Sequence, residues 1–175
     1  MKSFHQILTA VLATLFLHEA HALTLPVSED TSASVSGVLT TPFGRAGMLR
    51  VAPRRVAFLR FEAGAFAGSI AGQDVIRARL VFYLPQVVER GDLTLHRVAG
   101  EWTESVAASV PGPPFDPAVI ATIPQGAVIA RQFVIVDVTA QVKSWLAAPA
   151  TDFGFAVASS GVVSPNASAL SATLM

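Results

Sequence analysis

Apolar and polar residues alternate along most of the chain after residue 22, and a period of two predicts β-strands. The longest alternating run is residues 75–84. One face carries Ile76, Ala78, Leu80, Phe82 and Leu84, and the other carries Val75, Arg77, Arg79, Val81 and Tyr83. Pro85 ends this strand because proline has no N–H to donate to a sheet. We therefore predict a strand with one apolar face and one face of mixed polarity.

Shorter runs predict further strands between turn signals. In residues 56–61 the alternation assigns Val56, Phe58 and Arg60 to one face and Ala57, Leu59 and Phe61 to the other. The remaining predicted strands are residues 23–27, 48–51, 93–98, 133–138 and 153–157, with a last strand beginning within 168–175. The segment 111–117 holds four prolines. It is predicted to be an ordered surface loop, since such a segment cannot pair as a central strand.

One stretch has helical spacing instead. Thr139 is a typical N-cap residue, and Val142, Trp145 and Leu146 recur at helical intervals before Pro149. A short helix is therefore predicted near 140–148. Many short strands with one short helix predict an all-β fold, namely an antiparallel β-sandwich of jelly-roll-like type.

The N-terminus has the layout of a signal peptide. Lys2 precedes an uninterrupted apolar run over residues 7–17. Ala20 and Ala22 supply the small residues expected before a signal-peptidase cleavage site between residues 22 and 23. The run is too short to cross a bilayer, which needs about 20 residues. We predict a signal peptide over 1–22 and one domain over 23–175, secreted to the extracellular space or cell envelope. A membrane anchor at the N-terminus is the alternative.

Composition removes several classes of function. The chain has 12 basic and 12 acidic residues, only 14% charged residues and no cysteine. Neutrality argues against a nucleic-acid partner, and the absence of cysteine excludes disulfide scaffolds, zinc ribbons and thiol enzymes. A secreted chain without disulfides is typical of bacteria. No second long apolar run follows the signal peptide, so the mature chain is predicted not to be transmembrane.

No catalytic group emerges from the residues. His96 is the one histidine after residue 22, it lies within a predicted strand, and no nucleophile motif of hydrolases is present. Glu101 and Glu104 flank Trp102, but carboxylates beside a buried tryptophan are usually solvated or hydrogen-bonded to backbone. We therefore predict that the protein is not an enzyme.

The order of these motifs resembles the DNRLRE family of secreted β-sandwich domains, which are similar to carbohydrate-binding modules. The matching segments run in order over most of residues 29–160: RVAFLRF (55–61), IRARLVFYL (76–84), LHRV with EWTE (95–98 and 101–104), VDVT with Val142 and Trp145-Leu146 (136–146), and FGFAV (153–157). The family's members continue with a further strand beyond the point matching residue 175. The resemblance thus implies a domain without its last strand, whether a fragment, a truncated reading frame or a domain completed by another chain.

The resemblance implies a non-catalytic module that binds polysaccharide or cell-envelope glycan. An acidic polysaccharide or another protein chain is the expected partner. The alternative is a structural or adhesive module of an extracellular assembly with no small ligand. Glycan binding by such folds uses exposed rings that stack on sugars and cations that pair with acidic groups. The candidate ligand-binding residues are Arg77, Arg79, Tyr83, Arg97 and Phe115.

Two further expectations concern cofactors and the core. No cofactor is expected except a structural calcium ion, for which the candidate ligands are the predicted loop carboxylates Glu29, Asp30, Asp116 and Asp152. The two tryptophans, Trp102 and Trp145, have apolar neighbours and are predicted to anchor the core.

Overall fold

The computed structural model describes residues 22–34, 48–104, 112–159 and 171–174. These residues form ten strands: β1 (Glu29–Ser34), β2 (Leu49–Val51), β3 (Arg55–Arg60), β4 (Arg79–Leu84), β5 (Gln86–Glu89), β6 (Leu93–Val98), β7 (Phe115–Ile123), β8 (Gln132–Asp137), β9 (Phe155–Ser159) and β10 (Ser171–Leu174). One α-helix, α1 (Thr139–Ala147), lies between β8 and β9. The prediction of an all-β fold with one short helix is confirmed.

The strands pair antiparallel in three sheets. The order is β1-β3-β9-β6-β7 in the largest, β2-β10-β5 in the second and β4-β8 in the third. Apolar side chains from all three sheets and from α1 share one core cluster, which includes Leu59 of β3, Val51 of β2, Leu84 of β4 and Trp145 of α1. The three sheets therefore depend on one another for burial. Closure into a jelly-roll-like sandwich stays a prediction.

The inner strands β3, β6 and β9 of the five-stranded sheet are buried on both faces, whereas its edge strand β7 is largely exposed. As the alternation predicted, Ala57 and Leu59 of β3 belong to the shared core, whereas Val56 and Phe58 belong to a second cluster behind the sheet. Trp102 lies in this second cluster, 6.0 Å from the ring of Phe58. Both tryptophans are buried, as predicted. An aliphatic row on each face is typical of a strand packed from two sides.

The two ends of α1 show which side chains begin and end the helix. Thr139 is its first residue and not its cap, because the cap position is Val138. The carboxylate of Asp137 instead accepts the N–H of Thr139 at 2.9 Å. Pro149 begins a 3-10 turn directly after the helix, as expected for a residue that cannot continue it. The side chain that caps the helix is therefore that of Asp137, two residues earlier in the chain than the predicted cap, Thr139.

The structure corrects four of the predictions about strands. Residues 23–27 form no strand, since β1 begins at Glu29 and the chain before it is largely exposed. β4 begins at Arg79, and Ile76 is 84% exposed because the 3-10 turn at Gly72–Asp74 leads into residues 75–78 without strand pairing. β7 already begins at Phe115. It tolerates Pro117 because it is an edge strand that needs no N–H there.

The fourth correction concerns the chain after Pro85, where β5 forms a strand that was not predicted. The predicted signal peptide lies almost wholly outside the described residues, as does the first part of the proline-rich segment. Among the residues described, no helix is long and apolar enough to cross a membrane.

Gly154, which precedes β9, supplies a test of the fold. Its φ is +87°, and a Cβ there would overlap the carbonyl oxygen of Leu59. We expect Gly154→Ala to lower the free energy of unfolding by about 2–4 kcal/mol, because strain and a clash with rigid backbone add together. Urea unfolding measures the change. Gly68→Ala, at a position with open space around it, should change stability by less than about 1 kcal/mol. Equal effects of the two substitutions would contradict the described backbone at Gly154.

A candidate ligand-binding face on β4 and β8

The β4-β8 sheet has one face in the core and one face outside it. Along β4 and β8 buried side chains alternate with more exposed ones. The exposed face carries three cross-strand pairs that the register places directly opposite each other: Arg79 with Asp137, Val81 with Ile135, and Tyr83 with Phe133. We call these six residues the outer strip. Its two strands hold the side chains rigidly, since their opposite faces are packed in the core.

The middle and one end of the outer strip are apolar and unusually exposed. Phe133 is 69% exposed, Ile135 59% and Val81 52%. Tyr83 is half-buried, and its ring centroid lies 5.1 Å from that of Phe133 with the planes tilted by 55°. Adjacent exposed apolar residues of this kind commonly mark interaction sites.

The other end of the outer strip is charged. The carboxylate of Asp137 accepts hydrogen bonds from the hydroxyl of Thr139 at 2.6 Å and from its N–H at 2.9 Å. These bonds, with the nearby charges of Arg77 and Arg79, lower the pKa of Asp137 below its ordinary value. Thr139 in turn accepts the N–H of Ala78 at 2.9 Å. This network fixes the segment that leads into β4, which also carries Arg77.

The two arginines at this end are available to a ligand. Arg77 and Arg79 are both exposed, and within the described residues no hydrogen bond or ion pair engages either guanidinium group. A guanidinium group can bind a carboxylate through two parallel hydrogen bonds. The outer strip therefore combines rings at one end with cationic donors at the other.

The structure separates the five predicted ligand-binding residues into two groups. Arg77, Arg79 and Tyr83 lie on or beside the outer strip, but Arg97 lies in β6 and Phe115 in β7 of the five-stranded sheet. Arg97 therefore does not lie in the same sheet as Arg79. β4 pairs with β8, and the chain passes through β5 in another sheet before it reaches β6.

Both separated residues have partners in their own sheet. Arg97 forms an ion pair with Asp116 at 3.3 Å. Phe115 is half-buried, with its ring 5.2 Å from that of His96 and 6.3 Å from that of Phe58. Phe115 is not a freely exposed ring, because it packs on the second cluster. Phe133 is the most exposed aromatic ring among the described residues.

Two of the side chains considered for catalysis or metal binding, His96 and Glu29, form hydrogen bonds with other groups of the protein. His96 is fully buried, its Nδ1 donating to the carbonyl oxygen of Asp116 at 3.0 Å and its Nε2 lying 2.9 Å from the hydroxyl of Thr94. Glu29 accepts the N–H of Glu104 at 3.0 Å.

The carboxylates considered for calcium do not come together. Glu29 and Asp30 lie in β1 and Asp116 in β7, so they are strand residues and not loop ligands as expected. Asp152 is buried before β9 and accepts the N–H of Gly64 at 3.0 Å. Burial raises the pKa of Asp152. No group of three or more potential metal ligands occurs among the residues that the structure describes.

Three residues of the outer strip were not identified as candidate ligand-binding residues from the sequence. Phe133, Ile135 and Asp137 belong to a segment that was predicted correctly as a strand, but residues 133–136 are all apolar. Alternation therefore could not tell the core face of β8 from the exposed one. The outer face of β4 carries an arginine. Knowledge that β8 pairs with β4 would therefore have shown which face of β8 is exposed.

A comparison with protein-family models and a search of curated proteins both give no match for the chain. The resemblance to the DNRLRE family stays a prediction that rests on the strand motifs quoted above.

The lowered pKa of Asp137 predicts how stability depends on pH. A carboxyl whose pKa is lower in the folded state stabilises the fold above its unfolded pKa, and this contribution is lost as pH falls through the folded value. We expect the chain to be more stable than its Asp137→Asn variant at pH 7, with the difference shrinking below its ordinary pKa of 3.8. Urea unfolding between pH 7 and pH 3 measures it.

A second pair of proteins, which lacks the neighbouring arginines, tests the cause of the lowered pKa of Asp137. Asn keeps an oxygen that can accept from Thr139, so the substitution removes mainly the charge. In an Arg77→Ala/Arg79→Ala background the pH-dependent difference should be smaller, because part of the pKa shift comes from these arginines. A difference between chain and variant that does not change with pH would contradict this assignment.

Proposed function

We propose that the protein is a secreted, non-catalytic module that binds polysaccharide or cell-envelope glycan through the outer strip. One observation carries the proposal: a cross-strand pair of rings, the half-buried Tyr83 and the exposed Phe133, lies on the same face as Arg79, whose guanidinium group forms no hydrogen bond or ion pair within the described residues. Aromatic faces supply the apolar surface on which sugar rings stack, and arginine supplies directional hydrogen bonds to acidic substituents.

The spacing of these groups favours an extended and acidic ligand. Tyr83 and Arg79 are four residues apart in β4, which corresponds to about 13 Å at the usual rise of a strand. A ligand that contacts both ends must therefore be a chain of sugars. Since the whole protein carries no net charge, attraction of an acidic glycan depends on the local pair Arg77 and Arg79.

The geometry also explains why we propose binding without chemistry. The outer strip offers one carboxylate, that of Asp137, which accepts hydrogen bonds from the N–H and the hydroxyl group of Thr139. Glycoside hydrolysis usually requires two carboxyl groups on either side of the scissile bond. Binding by stacking and ion pairing requires only the flat face described here.

A structural or adhesive role is the second candidate, and one observation favours it. Val81 and Ile135 form an aliphatic pair in the middle of the outer strip, and both are more than half exposed. Aliphatic side chains cannot stack on sugars as rings do, but they are common at the centre of protein interfaces. This candidate has no small ligand and requires a protein that covers the strip.

Gel-retardation electrophoresis with acidic polysaccharides tests glycan binding. We expect Phe133→Ala and Arg79→Ala each to weaken retardation by about tenfold or more, which corresponds to about 1.4 kcal/mol per substitution. Binding that depends on Arg79 should also weaken as salt is added, since exposed charges are screened.

Matched controls separate the outer strip from general charge effects. Arg90→Ala removes an exposed arginine after β5, away from the strip, and should leave retardation unchanged. Neutral polysaccharides should bind with little dependence on Arg77 or Arg79. If no acidic or neutral glycan retards the chain, or if Arg90→Ala acts as strongly as Arg79→Ala, the proposal fails.

A further inference from the structure

Residues 31–61 have a charge composition unlike that of the rest of the chain. This stretch contains five arginines and no acidic residue, although the whole chain is neutral. Three of these arginines, Arg50, Arg54 and Arg55, lie along the connection from β2 to β3. We call these three residues the arginine corner. The turn within it is tight, because Ala52 and Arg55 exchange two backbone hydrogen bonds, each of 2.9 Å.

Two serines of β1 show that the ends of the arginine corner lie close to each other. The backbone N–H of Arg50 donates to the hydroxyl group of Ser32 at 2.7 Å, and Arg55 lies directly opposite Ser34 in the pairing of β1 with β3. Ser32 and Ser34 are two residues apart, which corresponds to about 7 Å along a strand. Arg54 is the exposed residue of the turn directly before Arg55. All three arginines therefore branch from one small region of the fold.

The backbone of the arginine corner is held in place by the core. Leu49 and Val51, on either side of Arg50, are buried in the shared core, so the alternation of a strand directs Arg50 outward. Pro53 fixes one backbone angle of the turn, and Val56, which follows the turn, is fully buried. The backbone that carries the three cations therefore loses little conformational freedom when a ligand binds.

Two of the three guanidinium groups, those of Arg50 and Arg54, have no counter-charge among the described residues. Both residues are exposed, and no hydrogen bond or ion pair within this part of the chain engages either group. Asp30 is the nearest acidic residue along β1. Burial raises the pKa of Asp30, whereas a neighbouring guanidinium group would lower it. The segments between the described ranges contain no acidic residue.

The arginines of the corner repel one another. Partial burial and the charge of Arg50 together lower the pKa of Arg55 below its ordinary value. Like charges held close together cost free energy, and an anion that binds between them offsets this cost. Perturbed charges of this kind are more common at functional sites than elsewhere on a protein surface. Guanidinium groups bind phosphate through paired hydrogen bonds, and a cluster of cations matches a dianion better than it matches a single carboxylate.

We propose that the arginine corner binds a phosphate group in its doubly charged form, at a site separate from the outer strip. Arg50 and Arg54 donate hydrogen bonds to the phosphate oxygens, and Arg55 adds positive charge beside them. The outer strip belongs to the β4-β8 sheet, whereas the arginine corner connects the other two sheets. Phosphate groups occur free in solution and on lipid headgroups, and the same contacts suit either source.

An NMR titration of the purified chain with sodium phosphate, at constant ionic strength and about pH 8, tests binding of the free anion. Most phosphate is a dianion at this pH, because its second pKa is about 6–7. We expect saturable binding that Arg50→Gln and Arg54→Gln each weaken by about tenfold or more. Arg90→Gln removes an exposed arginine after β5 and gives the same net charge, so it is the matched control and should bind as the unchanged chain does.

Co-sedimentation with phosphatidylcholine vesicles that contain phosphatidic acid tests the lipid source, since phosphatidic acid carries a phosphate monoester. Binding of either probe that depends on Arg50 and Arg54 but not on Arg90 supports the proposal, and the probe that binds identifies the source. If neither probe binds, or if Arg90→Gln weakens binding as strongly as Arg50→Gln, the proposal is overturned. Loss of phosphate binding in Arg79→Gln instead would also overturn it, because the phosphate would then lie on the outer strip.

Urea unfolding without phosphate shows that the variants are folded. Arg50→Gln should be at least as stable as the unchanged chain, because the substitution removes a repulsive charge beside Arg55. A clear loss of stability in this variant would contradict the repulsion from which the site is inferred.

Discussion

Burial of the inner strands β3, β6 and β9 on both faces is the constraint on which the rest of the structure depends. Most polar groups buried in or beside these strands find partners within the protein, because unpaired buried groups are costly. The indole N–H of Trp102 therefore donates to the carbonyl of Phe153 at 2.8 Å, and both ring nitrogens of His96 are engaged. Arg60 donates to the carbonyl of Trp102 at 3.2 Å. The hydroxyl groups of Thr31 and Ser159 are exceptions to this pairing. The bonds of Trp102 and Arg60 connect the sheet to the chain segments behind it.

The β4-β8 sheet is free of this constraint on its outer side. Its inner residues complete the shared core, so the two strands are held in place without any contact on the outer strip. A rigid support with an exposed face is what a recognition surface requires, because little conformational freedom is lost on binding. Within the described residues this sheet has only two strands, β4 and β8.

The positions of individual strands could be predicted from the sequence more accurately than the pairing between strands. Alternation identified both faces of β3 and the burial of Trp102, since these depend on local spacing and apolar size. It failed at Ile76, where a 3-10 turn sets the direction of the chain, and at Arg97, whose position depends on which strands pair. Arg79 and Tyr83 were found because a polar residue marked their face. Phe133 was missed because its strand is apolar on both sides, and only pairing with β4 shows which side is exposed.

The distribution of aromatic residues has an optical consequence. The chain has one tyrosine and two tryptophans. Tyr83 lies on the outer strip, whereas Trp102 and Trp145 are buried in different clusters. Tryptophan emission therefore reports on the integrity of the two clusters. Chemical labelling of the phenol ring, by iodination or nitration, reports on the outer strip alone. The sequence thus contains separate intrinsic probes for its folding and for the environment of the outer strip.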